Sequence, residues 1–106
     1  MKVGTDIVEI RRIPFNNLAF AHGILSPQEV LLYQERKDKA QFLAGRYAAK
    51  EAFLKAIGTG LAGAKLNDID VSYNAEGAPI LTYQGQSYPV SISHDGGYAI
   101  SVVIIP

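Results

Sequence analysis

The chain has 106 residues, 48% of them hydrophobic, with ten basic and ten acidic side chains, a net charge of zero and no cysteine. That length suits one compact domain spanning 1–106, and the balanced charge excludes the basic excess by which nucleic-acid binders are recognised. Absence of cysteine excludes a disulfide framework, a cysteine-ligated zinc and a cysteine nucleophile. A domain this small buries a modest share of its surface, so self-association would cover apolar area that a monomer leaves wet. Asp6 and Glu9 interrupt the N-terminal apolar stretch, which predicts no signal peptide. No apolar run reaches the roughly 20 residues a membrane span needs, so the cytoplasm is the expected location and no membrane partner is expected.

Residues 2–10, KVGTDIVEI, read as a strand with Val3, Thr5, Ile7 and Glu9 on one face and Gly4, Asp6, Val8 and Ile10 on the other. Asp6 is the odd member of an apolar face. Residues 14–25, PFNNLAFAHGIL, show no strong periodicity and read as irregular or briefly helical. Ser26-Pro27-Gln28-Glu29 is a sharp helix start. The Ser26 hydroxyl can accept from the Glu29 N–H, the Glu29 carboxylate can reach back to Ser26, and Pro27 fits the first turn. That helix is expected to reach about Arg36, followed by a charged turn, RKDK.

The longest helix is predicted from about Asp38 to Ile57, in a stretch rich in strong helix formers, with Gly58 placed to end it in a left-handed conformation. The strands IDVSY, PILTY, SYPVSIS and YAISVVII follow, separated by the turns NAEG, QGQ and HDGG. One strand, then helices, then an antiparallel meander argues for an α+β domain.

At 100° per residue the long helix is apolar over most of its circumference. Phe42, Leu43, Tyr47, Phe53, Leu54 and Ile57 fill a broad arc, and Ala48, Ala49, Ala52 and Ala56 form a second face of small residues. Arg46 and Lys50 lie inside the apolar arc, and Glu51 and Lys55 lie between the two faces. Such a helix is expected to be buried, and charges on it need partners; an anion is therefore expected beside Arg46 and Lys50. Two readings of these charges stand side by side. In the structural one, Glu51 and Lys55 are an i,i+4 pair, and Arg46 and Lys50 extend their charged ends to water past apolar stems. In the functional one, Glu51 and Asp6 are oxygen ligands for magnesium, which takes one or two carboxylates plus substrate phosphates, and the lysines face those phosphates. His94 reads as a polar edge residue or a ligand contact. Gly58-Thr59-Gly60 reads as a helix stop or as a turn whose N–H groups approach a phosphate.

Three segments, GTDIVEI, FLAGRYAAKEAFLKAIGTG and SISHDGGYAISVVI, occur in an order and at a spacing that resemble the holo-[acyl-carrier-protein] synthase family of 4′-phosphopantetheinyl transferases. The resemblance covers nearly the whole chain and is most specific in the central segment. It implies a small α+β domain in which an antiparallel sheet packs on a long buried helix, assembled as a homotrimer with active sites at subunit interfaces. It implies transfer of 4′-phosphopantetheine from coenzyme A to a serine of apo acyl carrier protein, giving 3′,5′-ADP, with magnesium, in fatty acid biosynthesis. The alternatives are the same chemistry on a specialised polyketide or peptide carrier, or a non-catalytic trimeric binding domain.

Carried over onto matching positions, the resemblance makes Asp6 and Glu51 the magnesium ligands and, with Lys55, the catalytic set. It places Arg46, Lys50, Lys55, Gly58, Thr59, Gly60 and His94 at the coenzyme A site, and Arg12 facing the carrier protein. Glu51 or a metal-bound water is left as the base. One departure stands out: the family often has a longer, basic helix between Arg12 and Ile24, and here that stretch holds no lysine or arginine. Its phenylalanines and leucine remain as an apolar means of carrier contact.

Overall fold

The computed structural model describes residues 1–58 and 64–106. Strand β1 (Lys2–Glu9) leads through a 3-10 turn (Ile10–Arg12) to helices α1 (Leu18–Ile24), α2 (Pro27–Gln34) and α3 (Lys39–Ile57). A second 3-10 turn (Leu66–Asp68) precedes β2 (Asp70–Tyr73), β3 (Pro79–Tyr83), β4 (Gln86–Asp95) and β5 (Tyr98–Ile105). The strands form one five-stranded sheet in the order β1-β5-β4-β3-β2. Neighbours are antiparallel throughout. This is the expected α+β arrangement, with the first strand pairing with the last.

Helix α3 lies across β1, β5 and β4, and 12 of its 19 residues are buried. The alanine face explains how a helix and a strand come so close. A Cβ built on Gly4 would lie 1.9 Å from the Ala52 carbonyl oxygen and 3.0 Å from the Ala56 Cβ. Glycine on β1 and alanine on α3 therefore let the two backbones touch, and that contact sets Asp6, two residues along the same inward face, against the helix. The alternation on β1 holds: Gly4 and Val8 are buried and Asp6 half-buried, while Val3 and Ile7 are 59% and 62% exposed.

Outward residues of β1 and β5 are mostly apolar and adjacent. Val3 lies opposite Ile104, Thr5 opposite Val102 and Ile7 opposite Ile100, and Val3, Ile7, Ile100, Val102 and Ile104 are all exposed. A ladder of branched side chains thus runs along the sheet's edge on the face away from α3.

Local corrections have local causes. Residues 18–24, which lack a periodic signal, form a helix because Asn17 caps it, its side chain accepting from the Phe20 N–H. The helix after Ser26 has the full reciprocal capping box but stops at Gln34. Arg36 then pairs with Asp38 through two N–H donors, at 2.7 and 2.8 Å, and this clamp sets the corner before α3. In the last hairpin His94 and Asp95 belong to β4, opposite Ala99 and Tyr98. Only Gly96 and Gly97 make the turn, both at positive φ, as a two-residue hairpin loop requires.

Candidate active site

Asp6 on β1 and Glu51 on α3 line one cleft of about 440 Å3 together with Arg12, Tyr47 and Phe20. Lys55, one turn beyond Glu51, donates to Asp6 Oδ1 at 2.9 Å and to the Thr5 carbonyl at 3.2 Å. The i,i+4 partner expected for Lys55 was Glu51; its ion pair is instead with Asp6, across the helix–strand contact.

The electrostatics follow from this placement. Burial pushes the Glu51 carboxyl above its ordinary range, the nearby Asp6 charge pushes it further, and Lys55 draws it partly back. Lys55 is held above the usual lysine range by its hydrogen bond to Asp6 and that carboxylate's charge. Tyr47 is raised too, by burial first and then by Glu51 and Asp6. The charged form of Glu51 is therefore disfavoured beside Asp6. Among the described residues no group of three or more histidines and carboxylates is gathered as a cation cage. Two oxygen-donor carboxylates on a rigid helix and strand fit magnesium of the kind that keeps waters and shares substrate phosphates; they do not make a closed structural site.

Arg12 is at the rim of the same cleft. Glu9 holds it at 3.0 Å and holds Arg11 at 2.9 Å, and both arginine side chains are more than four-fifths exposed, at 81% and 84%.

Arg46 and His94 meet elsewhere. They line a second cleft, of about 220 Å3, with Arg36, Gln41, Phe42 and Tyr73. The Arg46 guanidinium lies over the Phe42 ring, 4.1 Å from its centre, and donates to the Tyr73 hydroxyl at 3.3 Å. A ring nitrogen of His94 is 3.1 Å from the Gln41 amide. Arg46 and Glu51 are five residues apart on one helix, about 140° around its axis, so the two clefts open on different sides of α3.

Lys50 belongs to neither cleft. Its side chain is 0% exposed and pairs with Glu29, itself 1% exposed. The same ammonium donates to the Ile24 carbonyl at 2.6 Å. The coenzyme A site was the expected place of Lys50; among the described residues its ammonium is instead enclosed, with the anion its position demands coming from α2 of the same chain. Glu29 accepts from the Ser26 N–H at 2.8 Å through Oε1 and from the Val71 N–H at 3.1 Å through Oε2, and Oε2 also lies 3.5 Å from Arg46 Nε. Burial pushes the Lys50 ammonium down and Glu29 draws it back up.

Gly58 caps α3 at φ 79 and is exposed, while Thr59 and Gly60 lie outside the described residues. Sequence reasoning missed Tyr47, although it shares the row Tyr47–Glu51–Lys55 at four-residue spacing, and Arg36 and Gln41, which a charged turn and a helix start concealed.

Fold and clefts together define the class. The chain belongs to the 4′-phosphopantetheinyl transferase superfamily, whose family model matches residues 2–103. The relatives it resembles are holo-[acyl-carrier-protein] synthases. That of Streptococcus equi subsp. zooepidemicus is 38% identical over 105 residues, covering 94% of this chain and 88% of the relative. That of Aliivibrio fischeri is 42% identical over 118 residues, covering 96% and 94%. Solved structures agree: the Neisseria meningitidis synthase superposes with a TM-score of 0.86 at 34% identity, covering 96% of this chain and 94% of that one. The Helicobacter pylori synthase in complex with coenzyme A gives 0.85 at 35% identity, covering 98% and 99%.

Proposed function

We propose that this protein transfers 4′-phosphopantetheine from coenzyme A to a serine of an apo acyl carrier protein, releasing 3′,5′-ADP, and that it serves fatty acid biosynthesis. One observation carries the reading: in a chain of this family, Asp6 from β1 and Glu51 from α3 line a single open cleft, and Lys55 pairs with Asp6 beside it.

The serine oxygen attacks the β-phosphorus, the phosphoanhydride bond to the nucleotide breaks, and the serine proton must leave. Glu51, on the wall of the cleft beside Asp6, or a water held there takes it. Lys55 donates to a phosphate oxygen and offsets charge there. Asp6 and Glu51 would hold magnesium, which when bound supplies charge neutralisation of the diphosphate. The remaining work is positioning, because phosphoryl transfer asks for little covalent chemistry from the protein.

Arg46 and His94 fit the anionic nucleotide end of coenzyme A. Their cleft and the Asp6 cleft lie on different sides of α3, so a single protomer offers two half-sites. A homotrimer built on the apolar ladder of β1 and β5 would bring one protomer's Asp6 cleft to its neighbour's Arg46 cleft. Arg12 faces the acidic carrier. No lysine or arginine lies between residues 13 and 24, and Phe15 and Leu18 are 41% and 66% exposed. That surface favours a second reading, the same chemistry on a specialised carrier.

The test follows a panel of apo carrier proteins by intact mass after incubation with coenzyme A and magnesium. A magnesium-dependent gain of one phosphopantetheine arm is expected, and the panel ranks the carriers. No gain on any carrier, with folded enzyme, overturns the reading in favour of a non-catalytic binding domain.

A further inference from the structure

We infer that Lys55 is a placeholder counter-ion: in the ligand-free enzyme it neutralises the Asp6 carboxylate that a divalent cation would use, and so makes cation binding depend on a phosphate ready to receive the displaced ammonium. The inference rests on the metal reading given above and adds to it an order of events.

Two features of the cleft carry it. The first is the contact itself. Lys55 Nζ bonds Asp6 Oδ1 at 2.9 Å and is fixed a second time by the Thr5 carbonyl at 3.2 Å. The second is the contrast in freedom between the partners. The Lys55 side chain is 57% exposed, whereas that of Asp6 is 16% exposed and Asp6 belongs to a strand pressed against α3 at Gly4. The carboxylate is the fixed member and the ammonium, on a flexible four-carbon stem, is the one that moves. A divalent cation on either oxygen of this carboxylate would lie within a few ångströms or so of the ammonium, and the repulsion between them drives Lys55 away when a cation arrives. Leaving costs Lys55 two acceptors. A diphosphate in the cleft replaces them, and cation and diphosphate therefore bind better together than either does alone, reciprocally.

The probe is manganese(II) alone, without nucleotide, titrated into the whole chain while its free-ion resonance is followed. Lys55→Met removes the placeholder from an exposed position and leaves the fold in place. Lys2→Met, four residues along β1 from Asp6 or about 13 Å of extended strand, removes the same charge at a distance. Lys55→Met is expected to bind manganese roughly fivefold or more tightly than Lys2→Met, the scale set by removing one charge at contact distance in a partly solvated site, although it loses transfer activity. Asp6→Asn is expected to bind manganese more weakly than wild type. If Lys55→Met and Lys2→Met bind equally while Asp6→Asn weakens, the placeholder is overturned and the metal reading stands. If Asp6→Asn leaves the affinity unchanged, the metal reading falls, and this inference with it.

Discussion

Helix α3 carries two lysines, five residues apart, that each meet a carboxylate from another element, and their fates are opposite. Lys50 and Glu29 are 0% and 1% exposed. Their remaining valences are taken by the Ile24 carbonyl and by the N–H groups of Ser26 and Val71. Lys55 and Asp6 are 57% and 16% exposed, at the edge of a cleft. The chemistry of the two pairs is the same and the surroundings decide their use. A buried, hydrogen-bonded pair locks α2, α3 and β2 together, and neither charge faces solvent. An open pair beside a second carboxylate, Glu51, holds charges that a substrate can rearrange. A charged residue on a helix of this family is therefore assigned to ligand or to scaffold by what closes over it, not by its sequence position alone.

The comparison predicts graded losses. Glu29→Ala strips the anion from two buried cations and should cost about 3–5 kcal/mol of stability, read as a fall in the urea midpoint. A midpoint near wild type would place Lys50 and Arg46 in a more solvated setting than the one described. Asp6→Asn should leave the midpoint within experimental scatter and lower the transfer rate by roughly two orders of magnitude or more, on the scale of other removals of charge-stabilising groups. Wild-type turnover would sever the open pair from the chemistry.

Gly4→Ala probes the contact that sets Asp6 against the helix. Its Cβ has no room beside the Ala52 carbonyl, so about 1–3 kcal/mol of overpacking is expected, with transfer falling as the strand is displaced. The smallest effect concerns pH. The folded state raises the proton affinity of Glu51, so its contribution to stability is complete below the ordinary value of 4.5 and is lost as pH rises through the elevated folded value. Glu51→Gln should thus be more stable than wild type above that window, by roughly a few tenths of a kcal/mol. Below it the difference should vanish. Thermal midpoints at paired pH values check the sign, and a less stable variant at neutral pH would contradict it.

Much of this was legible in the residues. Alternation placed Asp6 on the inward face of β1, the capping box at Ser26 was read in full, and the two faces of α3 fell out of its periodicity. The need for an anion near Lys50 was legible as well, but not its source. Glu29 already had a local role in the capping box, and nothing in a linear pattern shows one carboxylate serving its own helix's start, a distant strand's N–H and two cations at once. Residues 18–24 were indistinct because a seven-residue helix, with a single asparagine cap, offers too few turns for periodicity to register. The separation of Arg46 and His94 from Asp6 was likewise hidden. The helical angle between Arg46 and Glu51 was calculable, but which side of α3 the sheet and α2 would cover was a property of the assembled fold.

The most direct test measures transfer and unfolding on the same preparations of wild type, Asp6→Asn and Lys50→Met, with transfer expressed per folded molecule. The account predicts that Asp6→Asn keeps the wild-type midpoint and loses transfer, while Lys50→Met loses stability and its folded fraction transfers at close to the wild-type rate. A folded Lys50→Met enzyme as inactive as Asp6→Asn would contradict it, by showing that the buried lysine takes part in the reaction.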